Sequence, residues 1–279
     1  MHLFTSQSQR SLLGRWLSPV LFGCLLLSGS AAAAPLQFNA PPRPPNTNGG
    51  RPVRRVDLGS RTPCAAAAPG KYLTALIPSP EITDQLLTRS EHPTVGVYVP
   101  FAADSIHRLQ FDLWQMTDQQ LTYELTLPLA VTQDLPGVVY ISLPETAQPL
   151  TLAQTYRWSL SVYCDAAQLE ADPYLVSGTI QRVASDVDQT LAEATPHQRA
   201  VAYAEAGLWY DALATLGALY QQTPDDAAIA ADWASLLSAL DIDLSALDIE
   251  FDHTDISAAP PVDCCQPVSD ALRDELDER

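Results

Sequence analysis

Beyond its first 33 residues the chain has four cysteines, Cys64, Cys164, Cys264 and Cys265, and they offer the clearest chemistry in the sequence. In an oxidising compartment such thiols pair, and four of them allow three connectivities. Cys264 and Cys265 are neighbours. A bridge between adjacent residues is strained, so a second disulfide within the pair and an intermolecular one stand as equal alternatives, with a redox role as a further reading. Zinc would demand two more ligands. His253 and Asp263 are close in sequence, but no C-x-x-C spacing accompanies them, so no metal site is assigned.

The other acids, bases and nucleophiles fall in strands and turns, where spacing decides which can meet. Ser90, Glu91 and His92 are consecutive, and successive residues of an extended chain point apart, which argues against a triad. His107 and Asp112 are five apart and would face opposite sides of a regular strand. His92 with His107, and Asp112 with Glu124, could approach across strands. Paired carboxylates can run glycoside hydrolysis, yet any acidic sheet offers such pairs. Asp241, Asp243, Ser245 and Asp252 suggest a calcium loop, but Ala246 stands where the turn needs glycine. There is no G-x-S-x-G, H-E-x-x-H, P-loop or G-x-G-x-x-G. No catalytic residue and no cofactor is assigned.

Composition narrows the classes further. The chain has 279 residues, 47% of them hydrophobic, and a formal net charge of −18. Phosphate contacts need clustered cations, so a nucleic-acid partner is excluded. Residues 1–61 carry seven arginines against Asp57 alone, so the acidic excess belongs to the body that follows.

These side chains must be positioned by the elements around them. Arg10 and Arg15 precede an apolar run over 16–27, and small residues follow, with Ala31 and Ala33 fitting cleavage after Ala33. Residues 1–33 are therefore read as a signal peptide, whose apolar run is too short to span a bilayer. Leu21-Phe22-Gly23-Cys24 is a loose lipobox, but Phe22 fits poorly and the apolar core continues past the cysteine. Residues 34–63 are rich in Pro, Gly, Asn and Arg and are predicted to be a disordered linker. No stable membrane span is expected after cleavage.

Seven short strands of period two then follow, over 73–77, 94–99, 108–116, 121–127, 138–143, 156–163 and 175–183. Leu109, Phe111 and Leu113 share one face, as do Tyr156, Trp158, Leu160 and Val162. This pattern predicts a seven-stranded immunoglobulin/fibronectin-like β-sandwich over 64–184. The run Leu150-Thr151-Leu152-Ala153-Gln154-Thr155-Tyr156-Arg157-Trp158 resembles the approach to the sixth strand of fibronectin-type sandwiches. Tyr156 would bond back to the preceding loop and Trp158 would anchor the core. In that topology Cys64 and Cys164 lie at the same end, so they are expected to bond and to contribute about 4–5 kcal/mol in the chain-entropy model.

From residue 185 the period changes to helical. Tyr203, Gly207, Trp209, Ala212, Leu216, Leu219 and Pro224 fall at offsets that resemble one tetratricopeptide repeat. Gly207 would make the interhelix turn, Ala212 would allow close approach and Pro224 would end the second helix. A third helix is predicted over 227–240. A single repeat cannot bury its own face, so this tetratricopeptide-like helical hairpin with its third helix is read as a packed cap over 185–240, with a peptide groove as the alternative. Residues 241–279 hold twelve carboxylates against Arg273 and Arg279 and are predicted to form a mobile acidic tail.

Several of these blocks occur together in one family. Cys64 precedes Leu73-Thr74-Ala75-Leu76-Ile77-Pro78. Glu91-His92-Pro93-Thr94 leads into Val97-Tyr98-Val99-Pro100. Tyr156-Arg157-Trp158 is followed by Cys164-Asp165, and Gly207-Leu208-Trp209-Tyr210-Asp211-Ala212-Leu213 comes after. Over about residues 60–240 the chain resembles the secreted cyanobacterial domain-of-unknown-function family DUF928. That resemblance implies secretion and lineage, and it brings no activity or catalytic residue with it.

The expected function is thus that of an exported, non-enzymatic interaction or structural module of the cell envelope, periplasmic or extracellular. Its partner would be a protein or a glycan. The alternative is a carbohydrate-binding or glycan-hydrolysing protein using Trp114 and Tyr163 as an aromatic platform.

Overall fold

The computed structural model describes residues 35–42, 53–57, 64, 71–127, 135–164, 173–187, 191–242, 256 and 261–264, with backbone alone at 126–127 and 261–264. The expected leader at 1–33, Cys24 and Cys265 lie outside the described residues.

The fold is β plus α. In chain order the strands are β1 (Val56–Asp57), β2 (Leu73–Ala75), β3 (Leu87–Thr88), β4 (Thr94–Val99), β5 (Arg108–Gln115), β6 (Gln120–Leu127), β7 (Gly137–Ser142), β8 (Thr155–Tyr163), β9 (Tyr174–Arg182) and β10 (Pro261–Cys264). They form two sheets, ordered β1-β2-β4-β7-β10 and β3-β9-β8-β5-β6. Three helices, α1 (Pro196–Glu205), α2 (Trp209–Gln222) and α3 (Ala227–Ser238), follow β9.

The second sheet follows the alternation of its sequence. Leu109, Phe111, Leu113, Tyr156, Trp158, Leu160 and Val162 are buried, while their neighbours along the strands face outward. Trp158 is fully buried and stands opposite Gly178 in the β8–β9 register. A Cβ at Gly178 would lie 2.6 Å from the indole, so glycine is what lets the ring lie flat on β9. The Tyr156 hydroxyl accepts the Thr151 N–H at 3.1 Å, the back-bond expected of the corner residue.

The first sheet is covered on both faces, which is why β4 and β7 read as nearly unbroken apolar runs. Val95, Val97 and Val99 take one face, and Tyr98 and Tyr140 the other. The Tyr140 ring abuts α2 at Gly217, where any Cβ would run into it.

Helix α2 begins by tying into both sheets. The Trp209 indole donates to the Leu76 carbonyl at 2.9 Å, and the Tyr210 hydroxyl donates to the Thr179 carbonyl at 2.6 Å. Trp209, Tyr210, Leu213 and Leu216 are all buried. Each such side chain is worth roughly 1.5–3 kcal/mol, so packing on the sheets adds to the packing of the helices on one another. Thr195 and Gln198 form a reciprocal capping box at the start of α1, and the Asp226 carboxylate caps α3.

Two expectations of irregular chain are corrected. Residues 34–63 were expected to be an unstructured spacer, but residues 53–57 are built into the body. The Arg55 carbonyl accepts the Ala75 N–H at 2.7 Å in the first sheet, and the Arg54 carbonyl accepts the Ser177 N–H at 2.8 Å in the second. Successive carbonyls of one short segment thus join the two sheets. Buried Asp57 locks it by accepting the Leu175 N–H at 2.6 Å. Residues 35–42 lie against the helices, with the Asn39 N–H donating to the Ala204 carbonyl at 3.0 Å.

The acidic tail likewise supplies structure. Ile256 is buried, and β10 runs parallel to β7 with Cys264 opposite Ile141. It satisfies a sheet edge that would otherwise be open, a need that composition does not reveal.

Candidate functional site

Cys64 is buried between β1 and β2, and Cys164 follows β8. They form a disulfide with Cα atoms 5.2 Å apart, across a sequence separation of 100 residues. Cys264 has no described side chain, so the chemistry of the Cys264–Cys265 pair lies outside the described residues.

Ser90, Glu91 and His92 turn out to organise loops. The Ser90 hydroxyl accepts the His92 N–H at 3.1 Å, and Glu91 pairs with Arg182 at 2.7 Å. The His92 ring nitrogen bonds the Ala147 carbonyl at 3.1 Å, holding the 144–149 loop beside the second sheet. His107 is exposed, and its backbone N–H donates to the Tyr163 carbonyl at 2.7 Å. Asp112 and Glu124 are direct cross-strand partners on the outer face, as their spacing allows. The Gln110 amide donates to Asp112 at 3.1 Å. Among the described residues, no group of three His, Cys, Asp or Glu side chains gathers closely enough to hold a metal ion. No described helix is long and apolar enough to cross a membrane.

The outer face of the second sheet carries two exposed large apolar side chains that stand together. Trp114 is 38% exposed and Leu121 37%, and the two are cross-strand partners just past an irregularity in the β5–β6 register. The bulge is what turns Leu121 outward: β6 resumes its alternation one residue out of step, so Tyr123 faces Leu113 while Leu121 joins Trp114. Next to this pair is a cleft of about 390 Å³ between the edge strand β6 and the 144–149 loop. Its walls carry the amides Gln115, Gln120 and Gln148 and the hydroxyls of Thr122, Tyr123 and Thr146. Trp114 and Tyr163 do not form one platform. Tyr163 pairs with Arg108, six residues along β5 from Trp114, which is roughly 20 Å at the usual rise. Its ring is covered by the Arg108 guanidinium, 4.2 Å from the centroid.

A second cavity, of about 220 Å³, lies where the β3–β4 turn meets α1 and α2. It brings together Arg89, His92 and Thr94 from the turn with Tyr203 and Asp211 from the helices. Asp211 sits in the first turn of α2 and is buried. Burial pushes its carboxyl up to about 6, against the opposing pull of the Arg89 N–H, the Thr88 hydroxyl and the Arg89 charge. The Arg89 N–H donates to it at 3.0 Å, and the Arg89 guanidinium lies 5.7 Å over the Tyr203 ring. The chemistry here is that of a joint between sheet and helix, sealed by one carboxylate.

Sequence reasoning passed over Asp211 and the glutamines of the cleft. Asp211 lies in the first turn of a helix, where a carboxylate is ordinarily accounted for by the helix end alone. Gln115, Gln120 and Gln148 come from three separate elements, so only the tertiary fold unites them.

Two of the blocks that carry the resemblance, Glu91-His92-Pro93-Thr94 and the run from Gly207 to Leu213, meet at this second cavity. No curated protein and no solved structure matches the chain. A family model described as Domain of Unknown Function (DUF928) matches residues 56–249, well over half of the 279 residues, and the chain belongs to that family.

Proposed function

We propose that this protein is an exported, non-enzymatic interaction module of the cell envelope, an immunoglobulin-like sandwich with a tetratricopeptide-like helical cap. The observation that carries the reading is the Trp114–Leu121 pair. Two large apolar side chains stand exposed side by side on a largely polar sheet face, next to an amide-lined cleft. Interfaces are anchored by such partly exposed aromatics with hydrogen-bonding groups around them. The leader-like sequence at 1–33 and the cysteine usage support export, and the Cys64–Cys164 bond suits an oxidising compartment.

The test is co-sedimentation of the purified protein with isolated envelope fractions. The wild type is expected to bind, and Trp114→Ala to lose at least tenfold in affinity while keeping its melting temperature. Equal binding by the two proteins would remove this surface from the function.

A second reading is glycan binding. The cleft favours it, because three carboxamides and three hydroxyls beside an exposed indole match the alternating polar and apolar faces of a sugar. Protease treatment of the envelope separates the two readings: a glycan partner survives it, and a protein partner does not.

A further inference from the structure

Residues 35–42 read as a spacer, Pro-Leu-Gln-Phe-Asn-Ala-Pro-Pro, yet they are gripped the way a bound peptide is gripped. Leu36 is buried, Pro35 and Gln37 are exposed, and Phe38 is half-buried, the alternation of an extended segment with one face docked. Both backbone groups of Leu36 are held by side chains of α3. Its N–H donates to Asp232 at 2.7 Å, and its carbonyl accepts the Ser235 hydroxyl at 2.7 Å. The other oxygen of Asp232 pairs with the ring of His197 on α1 at 2.5 Å, so both helices fix the acceptor.

Recognition continues along the segment. The Phe38 ring meets Trp209 edge to face, with centroids 5.0 Å apart. Asn39 then binds the C-terminal end of α1: its N–H donates to the Ala204 carbonyl at 3.0 Å, which also accepts the Gly207 N–H, and its amide donates to the Glu205 carbonyl at 3.3 Å. Gly207 makes room for this approach. Its φ is +73°, and a Cβ there would lie 2.9 Å from the Asn39 carbonyl.

We propose that the face formed by α1, α3 and the Gly207 turn is a peptide-recognition site for an extended Leu-x-Phe-Asn segment. In the intact chain it is filled by residues 35–42, and it can accept the same segment of a second copy. The main-chain grip at Leu36 supplies affinity, and the Leu36, Phe38 and Asn39 positions supply selectivity. Thirteen residues, 43–55, separate the segment from β1. The segment belongs to the same chain as the face it fills, so its docking is intramolecular and the cis segment normally outcompetes a free one.

The experiment uses the full chain and a labelled synthetic peptide of residues 35–42. Leu36→Ala/Phe38→Ala in the chain weakens the resident segment, and this variant is expected to bind the peptide saturably and at least tenfold tighter than the wild type. Adding Asp232→Ala to the chain, or Phe38→Ala to the peptide, is expected to abolish binding. A variant that keeps a cooperative melt but binds no peptide overturns the proposal. If the double variant does not fold, native-state hydrogen exchange on the wild type decides. Leu36 and Asn39 amides exchanging at least tenfold faster than the α1 interior support an exchangeable segment. Exchange of all of them at one rate, through global unfolding, contradicts it.

Discussion

The indole N–H of Trp158 donates to the hydroxyl of Tyr210 at 2.8 Å, and the Tyr210 hydroxyl donates in turn to the Thr179 carbonyl at 2.6 Å. A residue at the centre of the sheet core is thereby bonded to the first turn of the helical cap. Both groups are buried, so each hydrogen bond replaces water that cannot reach them.

Tyr210→Phe tests this link. The substitution keeps the ring and removes the hydroxyl, leaving the Trp158 donor and the Thr179 acceptor short of a partner. The expected loss is about 1–3 kcal/mol in urea unfolding, with little change in the secondary-structure spectrum.

Asp211 should make stability depend on pH. Its folded-state value of about 6 lies above the ordinary 3.8. The folded state therefore holds the proton more tightly than the unfolded chain does. Stability from this group is complete below about pH 4 and is lost as pH rises through 6, by at most roughly 3 kcal/mol. Asp211→Asn keeps an acceptor for the Arg89 N–H and removes the charge. Melting temperatures measured at intervals from pH 4 to 8 should show a flatter slope for that variant.

Reduction of Cys64–Cys164 should leave the fold in place but weaken it. The bond closes a loop spanning 100 residues of sequence, worth about 4–5 kcal/mol in the chain-entropy model. Urea unfolding with and without reductant measures the difference, and Cys64→Ser should reproduce the reduced protein.

Gly217 and Tyr140 form a close contact between α2 and the first sheet. A Cβ at 217 would meet both the hydroxyl and the ring carbon that bears it, the latter at 2.5 Å. Gly217→Ala is expected to cost about 1–3 kcal/mol despite alanine's better helix propensity. Tyr140→Phe should not rescue it, because the ring carbon remains. Tyr140→Phe alone should be neutral or stabilising, since the buried hydroxyl has no hydrogen-bond partner among the described residues. Thermal melts of the three variants check the order.

Much of the fold was legible where periodicity was strong. Strand β4 falls where Thr94 to Val99 stand between two prolines, and β8 follows the alternation of Tyr156, Trp158, Leu160 and Val162. The Gly207 turn was readable because few residues other than glycine accept its φ. Segments too short to show a period were not legible. Strands β1 and β3 have two residues each, and β10 has four in an acidic stretch. At residues 35–42 the prolines masked the alternation of Leu36 and Phe38. The candidate surface was half visible: Trp114 stood on a polar face in sequence, but its neighbour Leu121 arrives only through the register irregularity.

Hydroxyl-radical footprinting of the protein, free and then saturated with envelope extract, addresses the interaction surface directly. Four large apolar side chains are exposed among the described residues: Ile82, Trp114, Leu121 and Leu152. Trp114 and Leu121 are expected to be protected on binding, while Ile82 and Leu152 react as before. Protection of Ile82 or Leu152 with Trp114 unchanged would contradict the assignment of the outer sheet face.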